Sequence, residues 1–452
     1  MTSTSTPDPT PRALPVLDQD AITAVEERLA VHDVQLLCGT VVDPAGVIRA
    51  KAVPVARTGA FHVGGMGASP SWNVFCTDNA IAFRPGFGVV GDLRLRADLT
   101  ALRVLEGGLA WAPTEMTTQD GTPAPVCTRG LLRRAQAGLE ERGIVARVGA
   151  ELEFVVTERV GHPWNAYGLG PLLDLEAFVQ ELLAALAAAG LPVEQVHAEY
   201  GAGQLELSLP PADPLAAADG VVLARTLAGR VARRHDLAVS FSPLPFADGA
   251  GNGAHLHLSL HRDDRPLFSG GDGPHGLTRE GGAAIGGIVA GLADLIGVFS
   301  GSVLSPHRLQ PGYWSGAFAC WGLENREAAV RLCAATPGNP HGASVELKCI
   351  DPSANPYLAA AALLGLAADG VDRGLPLPQE VAVNPAEVPG TARLPAGQAA
   401  VLAALEASPL AERLLGPDIR TALLAVRHHE RETYGDADVA GVAERFRFTW
   451  SV

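Results

Sequence analysis

GAELEFVV, residues 149–156, alternates apolar and acidic side chains, and the same alternation returns in EYGAGQLELSL (199–209), NGAHLHLSL (252–260) and SVELKCID (344–351). Successive strand residues point to opposite faces. Glu151 and Glu153 therefore share a face, as do His255, His257 and Ser259, and Glu346 and Lys348. Glu151, Glu153, Glu199, Glu206, His255 and Glu346 all lie on or beside such strands, and each can hold a divalent cation. Five carboxylates and an imidazole on one wall repel strongly unless cations sit among them. An oxygen-rich set with little sulfur suits Mg2+ or Mn2+. Two such ions are the usual clamp for a phosphate chain, so the chain reads as a metal-dependent, ATP-using enzyme.

Composition allows this and excludes rivals. At 452 residues, 47% of them apolar, the chain can bury a large core in two domains. A net charge of −15 leaves no basic patch for nucleic acid. Cys38, Cys76, Cys127, Cys320, Cys333 and Cys349 are dispersed without a CxxC pair. They read as reduced, buried thiols of a cytoplasmic protein. The start, MTSTSTPDPTPRALP, lacks the charged and apolar regions of a signal peptide and reads, through residue 18, as a disordered tail. Gly282 to Phe299 is apolar but carries Asp294 and several glycines, which favours a buried helix over a membrane span.

Residues 34–55 read as a hairpin around Asp43-Pro44-Ala45-Gly46, followed by a glycine-rich loop at 64–72 and a strand from Val89 to Leu95. Proline and threonine cluster at 113–125 and mark a boundary between a small domain, 19–115, and a large one, 122–452. Leu131–Arg142 and Leu175–Ala189 have helical apolar spacing, closed by Gly143 and Gly190. The alternation gives an α+β domain with one sheet face lined by acids. No GxxxxGK(S/T) loop is present, so metal and arginine must hold phosphates. GDGPHG (271–276) fits GxGxxG but reads as a loop, since Pro274 and its polar surroundings give no strand-turn-helix context.

GAELEF, ExGAGQLE, NGAHLHLSL, RLQPGYW (308–314) with ENREAAVR (324–331), and VELKCIDPSANPYL (345–358) occur in that order. The series resembles the glutamine synthetase superfamily over residues 30–452, closest in character to its γ-glutamyl-amine ligase branch. The resemblance implies a β-grasp-like N-terminal domain and a catalytic domain with a curved antiparallel sheet flanked by helices. It also implies a reaction in which ATP phosphorylates glutamate's side-chain carboxylate and an amine displaces the phosphate. By motif, Glu153, Glu199 and Glu206 would hold the metal nearer the acyl acceptor. Glu151, His255 and Glu346 would hold the metal among the phosphates. His257 and Ser259 would face the nucleotide, Arg326 and Arg331 the transferred phosphoryl and nucleotide phosphates, and Arg308 the amino acid's α-carboxylate, beside Gly251. A fixed guanidinium suits phosphoryl transfer because its planar fork stays charged and bridges two oxygens.

The departures bear on the amine. Glutamine-forming members read RLVPGYE, with a glutamate that binds and deprotonates ammonium; here Trp314 takes its place. Met66 stands where their FDGSS loop supplies an aspartate. An ammonium site needs anions, and both are replaced by groups suited to a larger amine's carbon skeleton. These two residues tilt the reading away from a highly charged polyamine. Lys348 replaces an arginine and Ala250 an asparagine, altering recognition of the acid. Leu375 occupies the tyrosine position adenylylated in regulated relatives, so that control is expected to be absent. Plainer readings stand beside these: Trp314 as a loop anchor, Met66 and His257 as packing, Arg326 and Arg331 paired with Glu324 and Glu327. Three functions remain: a glutamate–organic amine ligase, preferred; an ordinary glutamine synthetase; and an inactive scaffold, disfavoured because every ligand is present. The resemblance further implies a hexameric ring or two stacked rings, with the Met66–Ser69 loop completing a neighbour's site.

Overall fold

The computed structural model describes residues 13–157, 163–339 and 342–452. An N-terminal sheet is built from β1 (Leu36–Val42), β2 (Ile48–Pro54), β3 (Met66–Ala68), β4 (Leu93–Ala97), β5 (Arg103–Leu105) and β6 (Leu109–Thr117). Its order is β2-β1-β6-β4-β3, with β5 beside β6 and the β1–β6 pair parallel. The hairpin is present, its turn closed by Gly46 N–H donating to Asp43 O at 2.9 Å. Two expectations shift here. The strand expected from Val89 begins at Leu93, because Val89 and Val90 are exposed and followed by Gly91 at φ +93°. The glycine-rich loop contains β3 and a short turn, Pro70–Asn73.

Residues 1–12 lie outside the described residues. The remainder of the expected tail is anchored: Leu14 is buried, Leu17 N–H donates to His62 Nε2 at 2.9 Å, and Asp18 caps the helix Gln19–Val31. The proline- and threonine-rich stretch at 113–125 holds the end of β6 and a return turn, in which Ala124 N–H donates to Met116 O.

The second sheet comprises β7 (Val145–Thr157), β8 (Gln195–Ala198), β9 (Gln204–Ala212), β10 (Ala238–Ser240), β11 (Leu256–Arg262), β12 (Arg265–Pro266), β13 (Phe318–Leu323), β14 (Ala328–Cys333) and β15 (Ser344–Leu347). Its path is β13-β14-β15-β11-β7-β9-β8. The pairs are antiparallel except β13–β14, which is parallel. Alternation decides what each face does. On β7, Ala146, Val148, Ala150, Leu152, Phe154 and Val156 are buried in the core, while Glu151 and Glu153 face the other way and stay half-buried. Leu205, Leu207 and Leu209 of β9, Leu256, Leu258 and Leu260 of β11, and Val345 and Leu347 of β15 continue the apolar face. Each fully buried leucine contributes about 1.5–3 kcal/mol, and a one-residue slip would turn the acids into the core. Register is therefore strongly held.

Helices cover the apolar face. Thr128–Glu141 and Glu176–Ala188 match the two expected helices, and Arg279–Phe299 encloses the apolar stretch as a core helix buried along most of its length. GDGPHG is a loop, as expected. Arg129, on the helix Thr128–Glu141, joins the N-terminal sheet region to the helix Pro214–Arg234 by ion-pairing with Asp98 (2.9 Å), Glu115 (2.8 Å) and Asp219 (2.8 Å) in the interior.

Candidate active site

Register places the acids side by side. Glu153 lies opposite Glu206 across β7 and β9, His257 opposite Glu346 across β11 and β15, and Arg331 opposite Glu346 across β14 and β15. Ligand atoms of Glu151, His255 and Glu346 fall within 4.8 Å of one another, as do those of Glu153, Glu206 and His255, and those of His197, Glu199 and Glu206. All six expected cation ligands thus fall in linked groups, but the expected trio Glu153, Glu199 and Glu206 is not one of them among the described residues: Glu199 joins Glu206 with His197, and Glu153 joins Glu206 with His255. His255 Nδ1 lies 3.1 Å from Glu151 Oε2 and 3.5 Å from Glu346 Oε1, joining the two halves of the cluster.

Electrostatics separate those halves. Burial pushes the Glu346 carboxyl up, but Lys348, His255 and His257 outweigh it and bring it down to about 2. For Glu151, hydrogen bonds to His255 and His257 likewise overcome burial and hold it well below the usual range. Glu199 and Glu206 go the other way. Burial raises both, and the neighbouring charge of Glu153 adds to it. Carboxylates that crowd one another and drift toward protonation are what a divalent cation would relieve. The donor set, hard oxygens plus one imidazole, fits Mg2+ or Mn2+.

The other expected residues fall into distinct situations. Arg308 is buried; its Nη2 lies 3.1 Å from His255 Nε2 and 3.3 Å from Lys348 O, while its buried Nη1 has no partner among the described residues. That orphaned donor beside the acids fits a substrate carboxylate. Gly251 is needed for this packing, since a Cβ there would lie 2.8 Å from Arg308 Cγ. Lys348 Nζ meets Glu346 Oε1 at 3.1 Å, so in this state it neutralises a cation ligand and is not free for a substrate. Arg331 is engaged by Glu324 (2.5 Å) and Glu346 (3.2 Å), whereas Arg326 is exposed and makes no ion pair among the described residues. His257 Nε2 lies 3.1 Å from Glu151, and Ser259 donates to Ala343 O at 3.2 Å. Trp314 is exposed at φ +51°, with its backbone N–H donating to Glu327 at 2.9 Å. Met66 sits in β3 opposite Leu95, packed on the N-terminal core.

Several residues escaped the sequence reading. His197 Nε2 lies 3.2 Å from Glu206, and that hydrogen bond outweighs burial to raise the imidazole to about 9. It shares β-alternation with Glu199, a signal that could have found it. Gln204 Nε2 donates to Glu153 Oε2, Gly251 O and Asn252 Oδ1, each at 3.0 Å, and so positions three parts of the site. Gly253 N–H donates to Glu153 Oε2 at 2.8 Å, and a Cβ at Gly253 would lie 2.5 Å from His255 Nε2. Tyr167, whose phenol is raised to about 12 by burial and by Glu199, brings a hydroxyl to the same edge.

Residues 125–440 match the glutamine synthetase catalytic-domain family. The chain is 38% identical to a gamma-glutamylpolyamine synthetase, GlnA3, of Streptomyces coelicolor, over 98% of this chain and 99% of that one. A glutamine synthetase of Clostridium saccharobutylicum is 31% identical over 65% of this chain and 69% of its own. A crystal structure of a novel glutamine synthase homolog superposes with a TM-score of 0.85 at 31% identity, covering 92% of this chain and 98% of the other. The acid-lined sheet, the orphaned guanidinium and these likenesses agree: the chain belongs to the glutamine synthetase family and is an ATP-dependent, divalent-metal-using ligase of that type.

Proposed function

We propose that this enzyme joins the γ-carboxylate of glutamate to an organic amine. The carrying observation is the contrast within one site. The acids and Arg308 are assembled, while Trp314, an exposed indole, stands, by its place in the motif RLQPGYW, for the glutamate that handles ammonium in glutamine-forming relatives. Similarity to a gamma-glutamylpolyamine synthetase supports the same reading.

In this reading Glu151, His255 and Glu346 would hold one divalent cation and Glu153, Glu199 and Glu206 a second. When bound, these ions neutralise phosphate oxygens and the crowded carboxylates together. Arg308 grips the α-carboxylate through its unpartnered Nη1. Arg326, exposed and free of an ion pair among the described residues, meets the charge spread over the transferred phosphoryl. His257 and Ser259 border the nucleotide, with Arg331 beside its phosphates. Lys348, held by Glu346, acts on the acid substrate through that ligand's charge. The amine nitrogen then attacks the γ-carbonyl carbon, the C–N bond forms, and the C–O bond to phosphate breaks. In a ring of copies, the segment from Met66 to Ser69 borders a neighbour's amine pocket. The protein acts in the cytoplasm.

The test is phosphate release with ATP, Mg2+ or Mn2+, glutamate and, in turn, ammonium, methylamine, ethanolamine, putrescine and aniline, with products identified by mass. Putrescine belongs in the panel on the strength of the Streptomyces relative, ethanolamine and aniline on the apolar character of Trp314 and Met66. Turnover is expected to be higher with an organic amine than with ammonium. Robust turnover with ammonium alone would overturn the reading.

A further inference from the structure

Glu327 is a buried carboxylate, 7% exposed, without a salt bridge among the described residues. One oxygen, Oε1, accepts the backbone N–H of Trp314 at 2.9 Å; the other, Oε2, is buried and has no partner among the described residues. Leaving a charged oxygen in the interior with nothing to bond costs several kcal/mol in general. Such a group in a native fold calls for an explanation.

Its position supplies one. Glu327 directly follows Arg326 and leads into β14, whose Ala329 O accepts Lys348 N–H at 3.0 Å and whose Arg331 reaches Glu346 at 3.2 Å. Glu327 thus stands at the entrance of the strand that carries Arg331 to the acid cluster. Its carboxylate is fastened to the backbone of residue 314, where the indole has displaced the usual acid. The anion is absent from one loop and present in the turn that leads into β14.

We propose that Glu327 is the catalytic acid–base group for the incoming amine, with Oε2 as the atom that receives its proton. The proposal rests on the amine-ligase reading above. The protonated amine, R–NH3+, pairs with Glu327 and gives it one proton, leaving neutral R–NH2. The nitrogen lone pair attacks the acyl carbon of γ-glutamyl phosphate. As the C–O bond breaks, the second nitrogen proton leaves with phosphate as HPO4 2−, and Glu327 returns its own proton to solvent. Burial and the Trp314 N–H hold the carboxylate in one orientation, which general-base transfer requires.

Glu327→Gln keeps the shape and removes the base. With putrescine and methylamine as probes, kcat/KM is expected to fall by about 10²-fold or more, with KM for ATP and glutamate within about twofold. Hydroxylamine, already neutral near pH 7.5, needs no deprotonation, so the rate of hydroxamate formation by E327Q should fall less than about threefold. E327D should recover part of the amine rate. Amine turnover by E327Q within threefold of the parent would overturn the proposal. So would equal loss with both nucleophiles in E327Q and E327D proteins whose thermal unfolding matches the parent. If the parent itself forms no hydroxamate from glutamate, ATP and hydroxylamine, it is the ligase reading that fails.

Discussion

Glu153 and Glu206 face each other across the β7–β9 ladder, with an oxygen of each and a His255 nitrogen all within 4.8 Å. Like charges directly opposite in a sheet are destabilising. In the proposed function, cations bound between them relieve that repulsion. Adding Mn2+ to chelator-treated protein should therefore raise its thermal midpoint, with a gain approaching ~2.7 kcal/mol at a hundredfold excess over Kd. Glu206→Gln should stabilise the metal-free protein and shrink that gain, as differential scanning fluorimetry would show. A metal-independent midpoint would count against the cage.

Arg308 offers its unpartnered Nη1 where a carboxylate can take it. Arg308→Lys replaces a planar fork with a point charge. Steady-state kinetics should show kcat/KM for glutamate down about 10²-fold, near 3 kcal/mol, with KM for ATP changed little. Equal losses for both substrates would indicate a collapsed site.

Trp314→Glu should restore an anion to the ammonium position. The ratio of organic-amine to ammonium turnover is expected to fall at least tenfold, about 1.4 kcal/mol. Paired kinetic runs with ammonium and putrescine decide it; an unchanged ratio would make Trp314 a loop anchor only.

Arg129→Met removes the cation shared by Asp98, Glu115 and Asp219. Three buried carboxylates lose their shared guanidinium, leaving Arg133 to Glu115 and Asp98 and the Tyr357 hydroxyl to Asp219, so urea unfolding should show a loss of about 3–5 kcal/mol at pH 7.5. The pH dependence has a definite sign. Burial raises the Asp98 carboxyl, but Arg129 and Thr100 outweigh it and hold it below its ordinary value. Its contribution is therefore complete above about pH 4 and is lost as pH falls through the lower folded value. In the variant burial is opposed only by Thr100 and the more distant Arg133, so the penalty should be largest at neutral pH and shrink toward pH 5.

The strands that carry the site were legible because their signal is local. Leucines at Leu205, Leu207 and Leu209 alternate with Glu206 and Ser208, and that period of two assigns faces without any knowledge of neighbours. The strand expected at Val89 failed for the opposite reason: β-branched residues beside Gly88 and Gly91 found no pairing partner and turned outward. Gln204 and His197 were missed although they lie within the quoted motif or next to it. Their roles depend on which strands pair, not on their own spacing.

Sequence alone determined the alternating faces and the inventory of acids, because side-chain direction along a strand is set residue by residue. Tertiary structure decided the rest. The β7–β9 register pressed Glu153 against Glu206, Lys348 was drawn onto Glu346, and Glu327 was buried against the Trp314 backbone. Only the first of those contacts joins segments far apart in the chain; Lys348 and Glu346 are two residues apart and Glu327 and Trp314 thirteen, and there the folded backbone decides which groups meet.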